Sequence, residues 1–270
     1  LSYWRYDNQQ TSDLSSCRSF LFCGQNPHTM NISFEQFRTE VAALQQDIRT
    51  ELKKRQTPNR QLIEDGIVNI DEYYHSPLRV LWVLKEPYCD KKGGGGGWNM
   101  VQDLNTRRAE GKDRGAWQTW YPITYASYGL LNGFKQYAEM PQINRDPAVW
   151  LSLKKIAFIN FQKLPGKPQT NMADLQKQVP AEERALVVRQ IKTYRPHIVI
   201  FGSTLELLKN DLGLTGEHEL EKGHCQKDGV LYLNLKHPAQ LDISRETYVN
   251  WIVNRAKQYQ DFYLKSNTHA

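Results

Sequence analysis

The chain has 270 residues, 40% of them hydrophobic and 24% charged, with a formal net charge of +6 and a pI near 9.0. That is enough apolar material for a sizeable core, and no stretch reaches the roughly 18 apolar residues of a membrane-spanning helix, so such a helix is excluded and no membrane partner is expected. Residues 1–10 lack the basic-then-apolar order of a secretory signal, and Cys17, Cys23, Cys89 and Cys225 form neither a C-x-x-C metal motif nor a dense disulfide framework, so reduced thiols and an intracellular location are expected.

Taken in chain order, the first clear element is a helix over residues 32–55. Phe34, Phe37, Val41, Leu44, Ile48 and Leu52 recur at three-to-four spacing, Ser33 is placed to cap it, and Thr57-Pro58-Asn59 ends it. Residues 79–84 are a short apolar run rich in β-formers, which predicts a buried strand. Residues 89–150 read as less regular, with many aromatics and five consecutive glycines, Gly93 to Gly97. Without a following Gly-Lys-Ser/Thr these glycines are not a phosphate-cradling loop, and their composition predicts a mobile loop beside the pocket.

A second strand is predicted over 156–161 and a helix over 181–194, stopped by Pro196. A third strand over 197–201 runs into Gly202-Ser203-Thr204 and a short helix over 205–209. A fourth strand over 230–235 and a closing helix over 246–264 complete the chain. Strands alternating with helices predict a three-layer α/β/α fold around a central, mainly parallel four-stranded sheet. Residues 1–77 are read as an N-terminal helical extension and 78–270 as the α/β core.

Ligands of such sheets bind beyond the carboxyl ends of the strands. The stretches after the four strands are Lys85-Glu86-Pro87-Tyr88, Gln162-Lys163-Leu164-Pro165-Gly166, Gly202-Ser203-Thr204 and Lys236-His237-Pro238-Ala239. The charge excess is local too. Residues 141–200 carry ten Lys/Arg against four acids, a surplus equal to the net charge of the whole chain. A basic face suits a polyanion such as DNA and is equally well an ordinary solvated surface.

Taken together, these strand ends resemble the uracil-DNA glycosylase superfamily over about residues 78–265. Its first motif reads Gly-Gln-Asp-Pro-Tyr in the best-known branch, against Leu84-Lys85-Glu86-Pro87-Tyr88 here. Asn160 stands where the family's second strand ends in a base-reading asparagine, and His237-Pro238-Ala239 stands at the His-Pro-Ser motif. The departures are Leu84 for glycine, Lys85 for a polar or acidic neighbour, Glu86 for aspartate and Ala239 for serine; they argue against plain uracil in ordinary DNA as the substrate. Gly24-Gln25-Asn26-Pro27-His28 also resembles the first motif as text, but the set beginning at Arg79 fills the four strands in order.

The resemblance implies hydrolysis of the N-glycosidic bond of a damaged or modified pyrimidine, with Glu86 activating water and His237 stabilising the departing base. Tyr88 and Asn160 are the implied base-binding residues, and Trp98 is a candidate to stack on an extruded base. Lys85, Lys163, Lys167, Ser203 and Lys236 are candidate contacts to DNA phosphates. No cofactor is required, and His218, His224 and Cys225 match no metal-ligand spacing. A non-catalytic glycosylase-fold protein that binds DNA or a nucleotide is the alternative, and an unrelated α/β enzyme using Glu86 on a nucleotide-like substrate is a third reading.

Overall fold

A computed structural model describes residues 32–89, 94–108, 116–167, 171–214, 223–239 and 242–260. The Gly24-to-His28 look-alike, Cys17, Cys23, His218 and the end of the closing helix fall outside these residues. Among the described residues, no helix is long and apolar enough to cross a membrane.

Helix α1 (Phe34–Lys53) begins where Ser33 accepts the N–H of Gln36 at 3.2 Å, and it buries Phe37, Val41, Leu44, Ile48 and Leu52 along one stripe. Each such side chain contributes about 1.5–3 kcal/mol when fully buried. After α1 come β1 (Gly66–Ile67), α2 (Ile70–Tyr74), β2 (Val80–Leu84) and α3 (Met100–Asp103). The chain continues through α4 (Trp117–Leu131), α5 (Pro147–Leu151), β3 (Ile156–Asn160), α6 (Met172–Gln178) and α7 (Ala181–Tyr194). It ends with β4 (Ile198–Gly202), α8 (Leu205–Leu208), β5 (His224–Lys227), β6 (Val230–Leu235) and α9 (Arg245–Gln258).

The sheet has six strands in the order β1-β3-β2-β4-β6-β5. Its four central strands are the expected ones and are parallel, with Leu84 opposite Asn160 and Gly202 opposite Leu235. The two outer strands, β1 and β5, are antiparallel additions to the expected four. Two-residue β1 is too short to leave a pattern. Three of the four residues of β5 are polar, and it turns into β6 through Asp228-Gly229, both at positive φ, which is the preferred chemistry of a two-residue hairpin.

Side-chain alternation builds two cores. Val80, Trp82, Leu84, Phe158, Ile200, Leu233 and Leu235 face α4 and α9. Leu81, Val83, Ile159, Val199, Phe201 and Tyr232 face α1 and α7. Helix α1, read from sequence as part of an N-terminal extension, therefore supplies one outer layer and shares its core with the sheet.

The stretch expected to be irregular contains the 15-residue helix α4. It is buried on nearly every side, so it shows no amphipathic stripe, and Pro122 inside it reads as a breaker in sequence. The expected mobile glycine loop is also corrected in its described part. Gly95 and Gly97 exchange backbone hydrogen bonds with residues 59–62 (Gly95 N–H to Asn59, Gln61 N–H to Gly95, Gly97 N–H to Leu62, 2.8–3.0 Å). Gly95, Gly96 and Gly97 have φ of 88°, 94° and 74°, and a Cβ at Gly96 would stand 2.1 Å from the Gln61 carbonyl oxygen. Glycine is required there for conformation and close approach.

Candidate active site

Beyond their last ladder residues, β2 and β3 continue side by side. Phe161 and Gln162 donate to the carbonyls of Leu84 and Lys85 (2.7 and 2.8 Å), Gly166 donates to Pro87 (2.9 Å), and Tyr88 bridges to Gly166. Glu86 rests on that second loop. A Cβ added at Gly166 would lie 1.9 Å from Glu86 Cγ and 2.7 Å from its Oε1, so the bare glycine makes room for the carboxylate. Arg60, whose Nε donates to the Pro165 carbonyl at 3.2 Å, lies close enough for Glu86 to act on its guanidinium electrostatically; burial is nonetheless the largest influence and lowers the Arg60 pKa.

His237 follows β6. Its backbone N–H donates to Ser203 Oγ at 2.9 Å, and its ring Nδ1 accepts the Ala239 N–H at 3.1 Å. Burial first, and the neighbouring Lys85 ammonium second, push the imidazole pKa down to about 4. The ring is therefore neutral at physiological pH, and a neutral ring that accepts at Nδ1 carries its proton on Nε2. Beneath this turn lies Gly202, where a Cβ would meet Leu84 Cδ2 at 2.3 Å and Pro238 Cδ at 3.2 Å. Glu86 and His237 thus stand at one rim of the sheet, at the ends of β2 and β6 with the end of β4 between them. Two strand spacings separate their backbones by roughly 10 Å.

Asn160, at the end of β3, is buried, and its Nδ2 lies 3.9 Å from Met100 Sδ, on the side of the sheet that faces α4 and α9. Tyr88 is 53% exposed at the outer edge of the rim. Trp98 belongs elsewhere. It lines a groove of about 820 Å³ with Arg49, Lys53, Gln61 and Asn99, and the walls of that groove include none of Glu86, Asn160 and His237.

No protein-family model matches this chain, and no curated protein matches its sequence. The geometry of the rim is what its function must be argued from.

Of the residues expected to hold phosphate, Lys163 is corrected outright. Its ammonium is buried, donating to both Asp65 carboxylate oxygens at 2.9 Å and to the Asn160 carbonyl at 2.7 Å, so it is committed to the interior. Lys236 pairs with Asp242 at 2.5 Å on the surface, and Ser203 Oγ is engaged by His237. Lys85 stands beside His237, and Lys167 is exposed. The local basic excess is diluted as well. Lys163, Arg184, Arg189 and Arg195 pair with Asp65, Asp211, Asp47 and Glu40, all from outside residues 141–200.

Among the described residues, no cluster of three His, Cys, Asp or Glu could hold a metal ion. His224 Nε2 instead lies 2.8 Å from the Tyr259 hydroxyl. Sequence reading missed Arg60, Gly166 and Asp65. For Asp65 a faint signal existed: Glu64-Asp65 interrupts the apolar residues Leu62-Ile63 and Ile67-Val68, and an acid among them is placed for burial and so for a partner.

Proposed function

We propose that the protein hydrolyses the N-glycosidic bond of a damaged or modified pyrimidine nucleotide, as a divergent glycosylase of the uracil-DNA glycosylase type. The reading rests chiefly on His237. An imidazole held neutral, with Nδ1 occupied by the Ala239 N–H, has Nε2–H left to donate to a base oxygen as negative charge develops there.

Glu86, across the rim and lodged on Gly166, is the group that orients the attacking water and offsets positive charge on the sugar. Asn160 carries an amide whose donor and acceptor match the edge of a pyrimidine, close behind the rim at the end of β3. The exposed Lys167 is the candidate for the backbone of the nucleic acid, with Lys85 at the rim beside His237. Leu84, standing where the family has glycine, is given to the core.

The test is incubation of the protein with oligonucleotides carrying varied modified bases, single-stranded and duplex, with mass analysis for free base and abasic sites. Release of a free base, lost in Glu86→Gln, supports the reading. Tight binding without release favours a glycosylase-fold binding protein, and neither binding nor release sets the reading aside.

A further inference from the structure

Behind the rim, on the side of β3 away from the Asn160 side chain, lies a buried polar cluster that the proposed chemistry does not use. Strand β1 covers only Ala157 and Phe158 of β3, so the outward peptide groups of Asn160 lack a strand partner. Two side chains take its place. Asp65 Oδ2 accepts the Asn160 N–H at 2.7 Å, and Lys163 Nζ donates to the Asn160 carbonyl at 2.7 Å. These two side chains are themselves an ion pair at 2.9 Å, with side-chain exposures of 4% for Lys163 and 2% for Asp65.

The cluster is braced on all sides. Gln190 Nε2 donates to Asp65 Oδ1 at 3.2 Å and to the Tyr194 hydroxyl at 3.1 Å, while Gln45 Nε2 donates to the Asp65 carbonyl at 2.9 Å.

Such a pair is poor value as plain stabilisation, because well-packed apolar residues usually hold a core as well as a buried ion pair does. What this pair does that apolar residues cannot is grip both peptide groups of one residue. We infer that the Asp65–Lys163 ion pair is a positioning device for Asn160, fixing the strand end from which its amide projects. The inference rests on the proposed function for what the amide reads, but not for the clamp itself. With Lys163 and Asp65 locked together, the backbone of β3 is held against rotation and slippage at its last residue, and the Asn160 side chain leaves it in one direction. A recognition amide misplaced by about 1 Å forfeits on the order of 100-fold in rate.

The experiment compares wild type with Asp65→Leu/Lys163→Met, which removes the clamp without leaving a lone charge. Should that variant fail to fold, Asp65→Asn/Lys163→Met, which keeps an acceptor for the Asn160 N–H, replaces it. Two readouts are taken. Amide hydrogen exchange and the side-chain amide resonances of Asn160, assigned through Asn160→Asp, report the clamp without any substrate. Base release from the oligonucleotide series reports its use.

The expected result is faster exchange at Asn160 than at Ile159 and Phe158, displaced side-chain amide resonances, and kcat/KM lowered about 100-fold at a temperature where the variant stays folded. Wild-type exchange and resonances at Asn160 in the folded variant overturn the inference, as does a rate loss that merely tracks the unfolded fraction. If wild type releases no base from any oligonucleotide, the proposed function falls while the exchange measurement still decides the clamp.

Discussion

Ser203 Oγ accepts the backbone N–H of His237 at 2.9 Å from a residue whose own backbone sits at φ 62°, in the left-handed region. A non-glycine residue there carries backbone strain that a glycine at the same position would avoid. The hydroxyl is what ties β4 to the turn that carries the imidazole.

Ser203→Ala should therefore cost about 1–2 kcal/mol, since it leaves the strain and orphans the His237 N–H. Ser203→Gly removes the bond and the strain together and should cost less. Urea denaturation of both variants checks the order; an alanine variant as stable as the glycine variant counts against the hydroxyl as anchor.

His237 should give the protein an acid-sensitive component of stability. Its folded pKa, about 4, lies below the ordinary histidine value of 6.5, so between these the unfolded chain binds more protons than the folded one. Stability from this group is then complete above about pH 6.5 and drains away as pH falls toward 4. Denaturation midpoints measured across that window should fall more steeply for wild type than for His237→Gln. Lys85→Gln should raise the imidazole pKa, read by NMR titration, because one of its two causes is gone; burial, the larger cause, keeps it below 6.5.

Glu86→Gln should leave folding and nucleic-acid binding intact while lowering base release by about a hundred- to ten-thousand-fold. Gly166→Ala is the complementary change, since its methyl would occupy the place of Glu86 Cγ. It should reduce base release by displacing the carboxylate and cost about 1–3 kcal/mol through overpacking. Full activity in Gly166→Ala would show that the seat of Glu86 is unimportant.

Nucleic-acid affinity should fall as salt rises, and the cations should divide by their partners. Lys167→Glu should weaken binding across sequences and lower the salt slope by about 0.9 for a lost phosphate contact. Arg189→Glu, which breaks an ion pair with Asp47, should leave the slope unchanged. Equal effects from the two, in filter-binding or fluorescence titrations, would place the contact surface elsewhere.

The four parallel strands were legible because each is an apolar run closed by polar residues, and α1 because its stripe is regular. The hairpin at Asp228-Gly229 went unread, because a mostly polar edge strand such as β5 does not announce itself by hydrophobicity. The rim residues Glu86, Asn160 and His237 could be picked out because each follows or ends an apolar strand. Lys163 could not be told from Lys167 in that way. They stand four residues apart in one loop, and only the fold decides that the first turns inward to Asp65. The basic surplus of residues 141–200 is open to the same limit, since a window along the chain leaves out partners such as Asp47 and Glu40 that lie far away in sequence.

The glycine arm also bears on how the molecule behaves in a crowded solution. Beyond β1 the sheet margin is continued by the extended segment around residues 60–64, and residues 95–99 pair alongside it in parallel. An open margin of this kind would be a template for a strand from another molecule, and hence for aggregation. Here the outermost backbone is Gly95-Gly96-Gly97, three consecutive residues at positive φ, whose peptide groups cannot offer the regular ladder that an incoming strand needs. The same glycines that fit tightly against Gln61 leave the protein with an edge that does not propagate.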